Sequence, residues 1–283
     1  MSNSIHSTAI IADGAKISAD VSIGAYSLIG PHVVLKEGVK VHPHVIIDGR
    51  TTVGKGTEIF PYAIIGMPPQ STRYKGEPST IEIGENCLIR EHVTIHPGTE
   101  GGRMKTTVGE GCQFYIGAHI GHDCDVGNFV IMANNATLGG HVSVGDYANI
   151  GGLAAIHQFT RIGAYAMIAG TAGVNEDVIP FGAVMAVKGQ LAGVNIIGMQ
   201  RRGFERQDIH DLRNAYKLLV KNQVDTFEER LGKIRTLYRE SPTVKELLEF
   251  IDENPKRHLC LPSEDWEFTS PPDTEPLSRV ACA

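Results

Sequence analysis

An aliphatic residue, or once a phenylalanine or a methionine, returns at every sixth position along most of this chain. From Ile5 the series is Ile5, Ile11, Ile17, Ile23, Ile29, Leu35, Val41, Ile47, Val53, Ile59 and Ile65, eleven without a miss. It resumes at Ile83, Ile89 and Ile95. It then runs for twelve more: Val108, Phe114, Ile120, Val126, Met132, Leu138, Val144, Ile150, Ile156, Ile162, Ile168 and Val174. Helices repeat near 3.6 residues and lone strands near two, so a sustained period of six predicts a β-helix. Two residues before each anchor the chain is small or β-branched, as at Ala9, Val21, Ser27, Val33, Cys112, Ala118, Cys124 and Ala136. Side chains at i and i−2 share one face of a strand, so each hexad offers one large and one small inward group, which suits a narrow tube. Glycine often follows the anchor (Gly24, Gly54, Gly84, Gly109, Gly145), where its conformational freedom would permit a sharp corner.

Hexapeptide repeats of this form resemble the left-handed parallel β-helix family, which implies three hexads, or 18 residues, per coil. Two segments leave the register: 67–79 (MPPQSTRYKGEPS) and 97–105 (PGTEGGRMK), rich in Pro, Gly and charge and expected to loop outward. The β-helix is assigned to 1–192. From residue 193 the spacing turns helical, with Ile209, Leu212, Ala215, Leu218 and Leu219 at 3.6-type intervals. Thr226 and Glu229 form a candidate capping box, and Ser241-Pro242 a candidate helix start. A C-terminal helical domain is therefore placed at 193–255, with a loosely ordered tail at 256–283.

The net charge of −6 disfavours nucleic acid as a partner. No stretch approaches the roughly 20 apolar residues of an integral membrane segment. The start lacks the basic and apolar regions of a signal peptide, so a cytoplasmic protein is expected. The five cysteines (Cys87, Cys112, Cys124, Cys260, Cys282) form no CxxC pair and read as reduced, mostly buried thiols.

Chemistry concentrates in the histidines. With 18 residues per coil, His122 stacks below Gly140 and Gln158, and Asp123 below His141, about 4.8 Å apart. One corner thus gathers His119, His122, Asp123, His141, His157 and Gln158. A metal site is one use of such imidazoles. A general base poised near neutrality is another, with Asp123 beside His122 to orient it. No GxSxG elbow or phosphate-binding GxxxxGK[ST] loop is present, which favours direct transfer by a histidine base, with no metal.

Several segments resemble the UDP-N-acetylglucosamine O-acyltransferase family of lipid A biosynthesis. These are AHIGHDCDVGN (118–128), ANNATLGGH (133–141), IHQF (156–159), GVN (193–195), RRGF (201–204), IREHVTIHPGT (89–99) and NAYKL (214–218). The resemblance runs from about residue 5 to 255. It implies a homotrimer that takes a long-chain (R)-3-hydroxyacyl group from acyl carrier protein. The donor rides on the carrier's phosphopantetheine, with no bound cofactor, and the acceptor is the 3-position of the UDP-sugar substrate. His122 matches the general base, Asp123 its partner, and Gly140 the backbone donor to the thioester oxygen. Gln70, Ser71, Arg73, His119 and His141 match sugar and phosphate contacts. His157, Gln158, Asn195 and Arg201 match contacts to the nucleotide or the pantetheine arm. Gly170 and Lys188 stand at the acyl-length ruler. Arg202, Arg206, Arg213, Lys217 and Lys221, beside Arg201, form a basic surface for the acidic carrier.

The chain departs from the family pattern at Ser71 (commonly Asp), Ile197 (commonly Glu) and Lys188 (commonly His). Ser71 raises the expectation that a 3-amino analogue of the sugar is accepted, forming an amide. A short-chain sugar acetyltransferase using acetyl-CoA is the alternative activity.

Overall fold

The computed structural model describes residues 3–186, 189–221, 225–254 and 258–262. Two-residue strands occupy three faces in turn, beginning with Ser4–Ile5, Ile10–Ile11 and Lys16–Ile17, and each coil pairs in parallel with the next, Ser4 with Ser22 and Ile5 with Ile23. The three faces grow into sheets of eleven, nine and eight strands, and the whole is a left-handed parallel β-helix. Every anchor from Ile23 to Val174 is at most 5% exposed. Each such side chain contributes about 2 kcal/mol of apolar burial. Ile5, in the first coil, is 43% exposed because no coil lies beneath it.

The glycines after the anchors serve a purpose other than the expected one. The left-handed corner residue lies two positions further on and is seldom glycine: Tyr26, His44, Tyr62, His92, Asp123, His141 and Phe159 all have φ between 59° and 67°. Glycine after the anchor answers to close packing between coils. A Cβ on Gly84 would lie 2.5 Å from the backbone of Gly109. Many of the aromatic and histidine corners are supported by stacking from coil to coil. Tyr26, His44, Tyr62 and His92 form one column with centroids 5.2, 5.3 and 5.2 Å apart. Phe129, Tyr147, Tyr165 and Phe181 form another. Ring pairs of this kind contribute about 1 kcal/mol each, comparable with the cost of a left-handed residue.

Both excursions leave the same edge. The 67–79 loop joins Ile64–Ile65 on the second face to Thr80–Ile83 on the third, and the 97–105 loop joins Thr94–Ile95 to Lys105–Val108. The last coil is closed by antiparallel strands Gly182–Met185 and Gln190–Val194 and by helices α1 (Ile196–Arg201), α2 (Arg206–Lys221), α3 (Phe227–Leu237) and α4 (Pro242–Glu253). The capping box at Thr226 and Glu229 is complete in both directions. Pro242 opens α4 as expected, but the Ser241 hydroxyl caps nothing and faces Thr243 Oγ1 at 3.3 Å. The expected loose tail is corrected at its beginning. Residues 258–262 lie against the end of the prism through Cys260 N–H to Asp177 O (2.8 Å) and Leu191 N–H to Leu261 O, and Cys260 is buried. The remainder of the tail, from 263 on, lies outside the described residues, as does Cys282. The other four cysteines are buried free thiols. Among the described residues no helix is long and apolar enough to cross a membrane.

Candidate active site

His122 and Asp123 occupy the corner between His119–Ile120 on the second face and Asp125–Val126 on the third, the edge that also carries both loops. The left-handed backbone of Asp123 (φ 61°) turns its carboxylate inward, where its side chain has no exposed surface. Thr99 N–H lies 3.0 Å from both oxygens. Thr99 Oγ1 donates to Oδ2 (2.6 Å), Arg103 N–H to Oδ1 (2.7 Å) and His122 Nδ1 to Oδ2 (2.8 Å). Burial alone would raise the Asp123 carboxyl. The hydrogen bonds from Thr99, His122 and Arg103 outweigh it and hold the group below the usual carboxylate range. An ionised carboxylate can only accept, so the neutral tautomer of His122 that fits this contact has its proton on Nδ1 and its lone pair on Nε2.

Nε2 lies against the coil above. A Cβ on Gly140 would approach both Cε1 and Nε2 of His122 to 2.7 Å, so the imidazole occupies the space a side chain at 140 would fill. His141 stacks on Phe159 (4.3 Å) and meets His122 edge-on (4.9 Å), with Nδ1 3.9 Å from Asp123 Oδ2. Burial pushes the His141 imidazole down, against the pull of Asp123. His119 places Nδ1 2.7 Å from Thr94 Oγ1. Burial first, then the neighbouring His96 and His122, push it to about 4. Near pH 7 His119 is therefore a neutral hydrogen-bonding group. His122 alone of the three is in hydrogen-bond contact with a carboxylate.

Gln70, Ser71 and Arg73 lie on the 67–79 loop, with Gln70 and Arg73 exposed and Ser71 half-buried. The Ser71 hydroxyl accepts from Arg73 N–H at 3.3 Å within a tight turn. The Glu77 carboxylate accepts from Glu100 N–H (3.0 Å), tying this loop to the one over Asp123. His157 and Gln158 are exposed one coil beyond Gly140 on the same edge. Asn195 is committed to the framework. Its Oδ1 caps α1 by accepting from Gly198 N–H (3.0 Å) and its Nδ2 donates to Tyr165 O (3.0 Å), which leaves one N–H and one lone pair of the amide for a ligand. Gly170 lies at the surface, where a Cβ would come within 3.1 Å of Gly152 O. Lys188 and the side chain of Lys221 lie outside the described residues.

The basic surface is smaller than the sequence suggests. Arg201, Arg202 and Arg206 are exposed where α1 meets α2, with Arg202 lying over the Tyr147 ring at 4.3 Å. Arg213 and Lys217 face partly inward on α2 and are half-buried. Four participants have no place in the sequence expectation: Thr94, His96, Thr99 and the Arg103 amide. His96 is 8% exposed and holds Met67 O at 3.1 Å through Nδ1. The glycines of the 97–105 loop were the available signal.

His122, Asp123 and His141 offer ligand atoms within 4.8 Å of one another. A metal there would have to displace donors already bonded to both Asp123 oxygens, and His122 turns a protonated Nδ1 toward that carboxylate. The arrangement fits an imidazole base better than a cation site.

A family profile described as "Udp N-acetylglucosamine O-acyltransferase; Domain 2" matches residues 177–260. An acyl-[acyl-carrier-protein]--UDP-N-acetylglucosamine O-acyltransferase of Azorhizobium caulinodans is 50% identical over 259 residues, covering 92% of this chain and 95% of that protein. One from Caulobacter vibrioides is 46% identical over 262 residues, covering 93% and 99%. Among solved structures, the enzyme of this type from Acinetobacter baumannii superposes with a TM-score of 0.87 at 38% identity, covering 92% of this chain and 99% of that one.

Proposed function

Since the chain belongs to the UDP-N-acetylglucosamine O-acyltransferase family, we infer that it transfers an acyl group from acyl carrier protein to UDP-N-acetylglucosamine, the first step of lipid A biosynthesis. The observation that carries the mechanism is the His122–Asp123 contact at 2.8 Å, which fixes the tautomer and leaves Nε2 as base. His122 takes the proton of the sugar 3-hydroxyl as that oxygen attacks the thioester carbonyl. The tetrahedral oxyanion is met by the Gly140 N–H. Its collapse breaks the carbon–sulfur bond, and the imidazolium returns the proton to the departing pantetheine sulfur. Asp123 stays ionised throughout and stabilises the imidazolium. The donor enters on the carrier's phosphopantetheine, so this route needs no bound cofactor.

Neutral His119 and His141, with Gln70 and Arg73, hold the sugar and its phosphates. His157, Gln158 and Arg201 take the nucleotide or the pantetheine arm. Gly170 leaves room for a long 3-hydroxyacyl chain. Ser71 removes a carboxylate that would favour the unreactive ammonium form of a 3-amino sugar, so we extend the acceptor range to that analogue.

A homotrimer is supported by the second face. Its outward side chains Ile10 (65% exposed), Leu28 (37%), Ile46 and Ile64 form an apolar row that continues through Thr94 to His119. A second copy covering this row would stand at the edge of the active site.

The test is turnover of 3-hydroxyacyl carriers of several lengths with UDP-N-acetylglucosamine and its 3-amino analogue, with acetyl-CoA as the competing donor. His122→Ala should lower kcat by roughly 10²–10⁴-fold while leaving thermal unfolding unchanged. Near wild-type kcat in that variant would remove His122 from the role.

A further inference from the structure

The 97–105 loop does more than leave the prism and return. It closes over Asp123 so tightly that a Cβ on Gly102 would collide with the carboxylate carbon, and one on Gly98 would lie 2.8 Å from Oδ1. Thr99 is 5% exposed and gives Asp123 its shortest bond from a side chain. The loop is pinned from outside by Glu77, which accepts from Glu100 N–H. Asp123 N–H in turn donates to Thr106 Oγ1 (2.9 Å), in the strand that follows the loop. Among the described residues, the side chains that donate to the carboxylate are those of Thr99 and His122. The Arg103 guanidinium turns away to Asp125 (2.9 Å), and the facing titratable groups are His122 and His141.

We propose that Thr99 is the positioning residue of this active site: its hydroxyl fixes the Asp123 carboxylate in the orientation and ionised state that aim His122 Nε2 at the acceptor. This rests on the acyl-transfer reading above. A buried carboxylate without donors takes up a proton more readily. A protonated or rotated Asp123 no longer holds the Nδ1–H tautomer, and the base is lost with it. The loop thus supplies what the coil alone does not, since corner packing brings His122 and Asp123 together without satisfying both carboxylate oxygens.

The test replaces the hydroxyl with a methyl. Thr99→Val keeps the shape and the backbone N–H but removes the Oγ1 donor. A hydrogen bond to a charged group contributes enough to lower kcat by about tenfold or more. KM for the carrier and for the sugar should stay within about twofold, because Thr99 is 5% exposed and its hydroxyl is turned to Asp123. The acidic limb of kcat against pH should move up, and Thr99→Ser should restore both kcat and the limb. In an Asp123→Asn background the Thr99→Val change should add no further loss, since residues acting through one another are not additive. Thr99→Ala carries the same comparison should valine perturb the loop.

An unchanged kcat and pH limb in Thr99→Val overturns the proposal, as does the same fractional loss with and without Asp123. Wild-type turnover in the same assay keeps the two ideas separate. Its absence refutes acyl transfer, whereas its presence beside an unaffected Thr99→Val refutes only the role of Thr99.

Discussion

His122 and Asp123 are neighbours in sequence, yet one is an open base and the other a sealed carboxylate, because a single left-handed residue separates their directions. Gly140 completes the pair from the next coil by having no side chain. A methyl at Gly140 would overlap the His122 ring, with 2.7 Å to Nε2. The imidazole must then tilt or the corner open, and a displacement near 1 Å at a reacting group can lower rates about 10²-fold. Gly140→Ala is therefore expected to lower kcat by about that factor while KM changes little. Steady-state kinetics with both substrates check it, and an unaffected kcat would mean that the ring lies elsewhere during turnover. His119, His122, Asp123, Gly140 and His141 were legible in the sequence because a fixed coil length converts spacing into contact. Thr99 was not, since an insertion breaks that conversion and leaves it 24 residues from its partner. The capping role of Asn195 was not legible, because nothing in its local sequence marks the six-residue helix it caps.

At the scale of elements, the period of six predicts the coils but not what holds their corners. Left-handed φ at Tyr26, His44 and Tyr62 is stabilised by rings one coil away, a contact that no single hexad displays. The join between prism and helices shows a different tension. Glu246 of α4 is half-buried near Asp146 of the prism and Tyr165, and its carboxyl is pushed up to about 7 by burial first, then by Asp146 and Glu249. An acid with a folded value above its unfolded value near 4.5 binds its proton more tightly in the folded state. Its contribution to stability is full below about pH 4.5 and is lost as pH rises through about 7. Glu246→Gln removes that loss. Because the group is partly exposed, solvent screening reduces the gain to about 1 kcal/mol. Thermal unfolding should show the variant more stable near pH 8 and close to wild type near pH 5. Equal gains at both would assign the effect to something other than ionisation.

At the scale of the whole molecule, an acidic carrier must be drawn to a chain whose own net charge is −6. At physiological ionic strength charges beyond about 8 Å are largely screened, so a local patch can prevail over the overall repulsion. We propose as that patch the exposed Arg201, Arg202 and Arg206 at the junction of α1 and α2. Arg213 and Lys217, half-buried on α2, offer less charge to solvent. Sequence could not separate these groups, because periodicity shows which helix positions lie inward only once the neighbouring helices are in place. Reversing Arg202 and Arg206 to Glu should raise KM for the acylated carrier by about tenfold at low salt. Two reversed charges at contact distance shift association by about that much in a screened, water-like medium. KM for the nucleotide sugar, a small ligand held at the corner, should change far less. Wild-type KM for the carrier should climb with salt, whereas the variant's should flatten, since the attraction that salt screens is already gone. Glu at 213 and 217 should give a smaller rise in KM for the carrier and a lower unfolding temperature, because those side chains pack against their neighbours. If reversal at 202 and 206 leaves both KM and its salt dependence unchanged while reversal at 213 and 217 alters them, the carrier approaches along α2 and the junction is only a solvated turn.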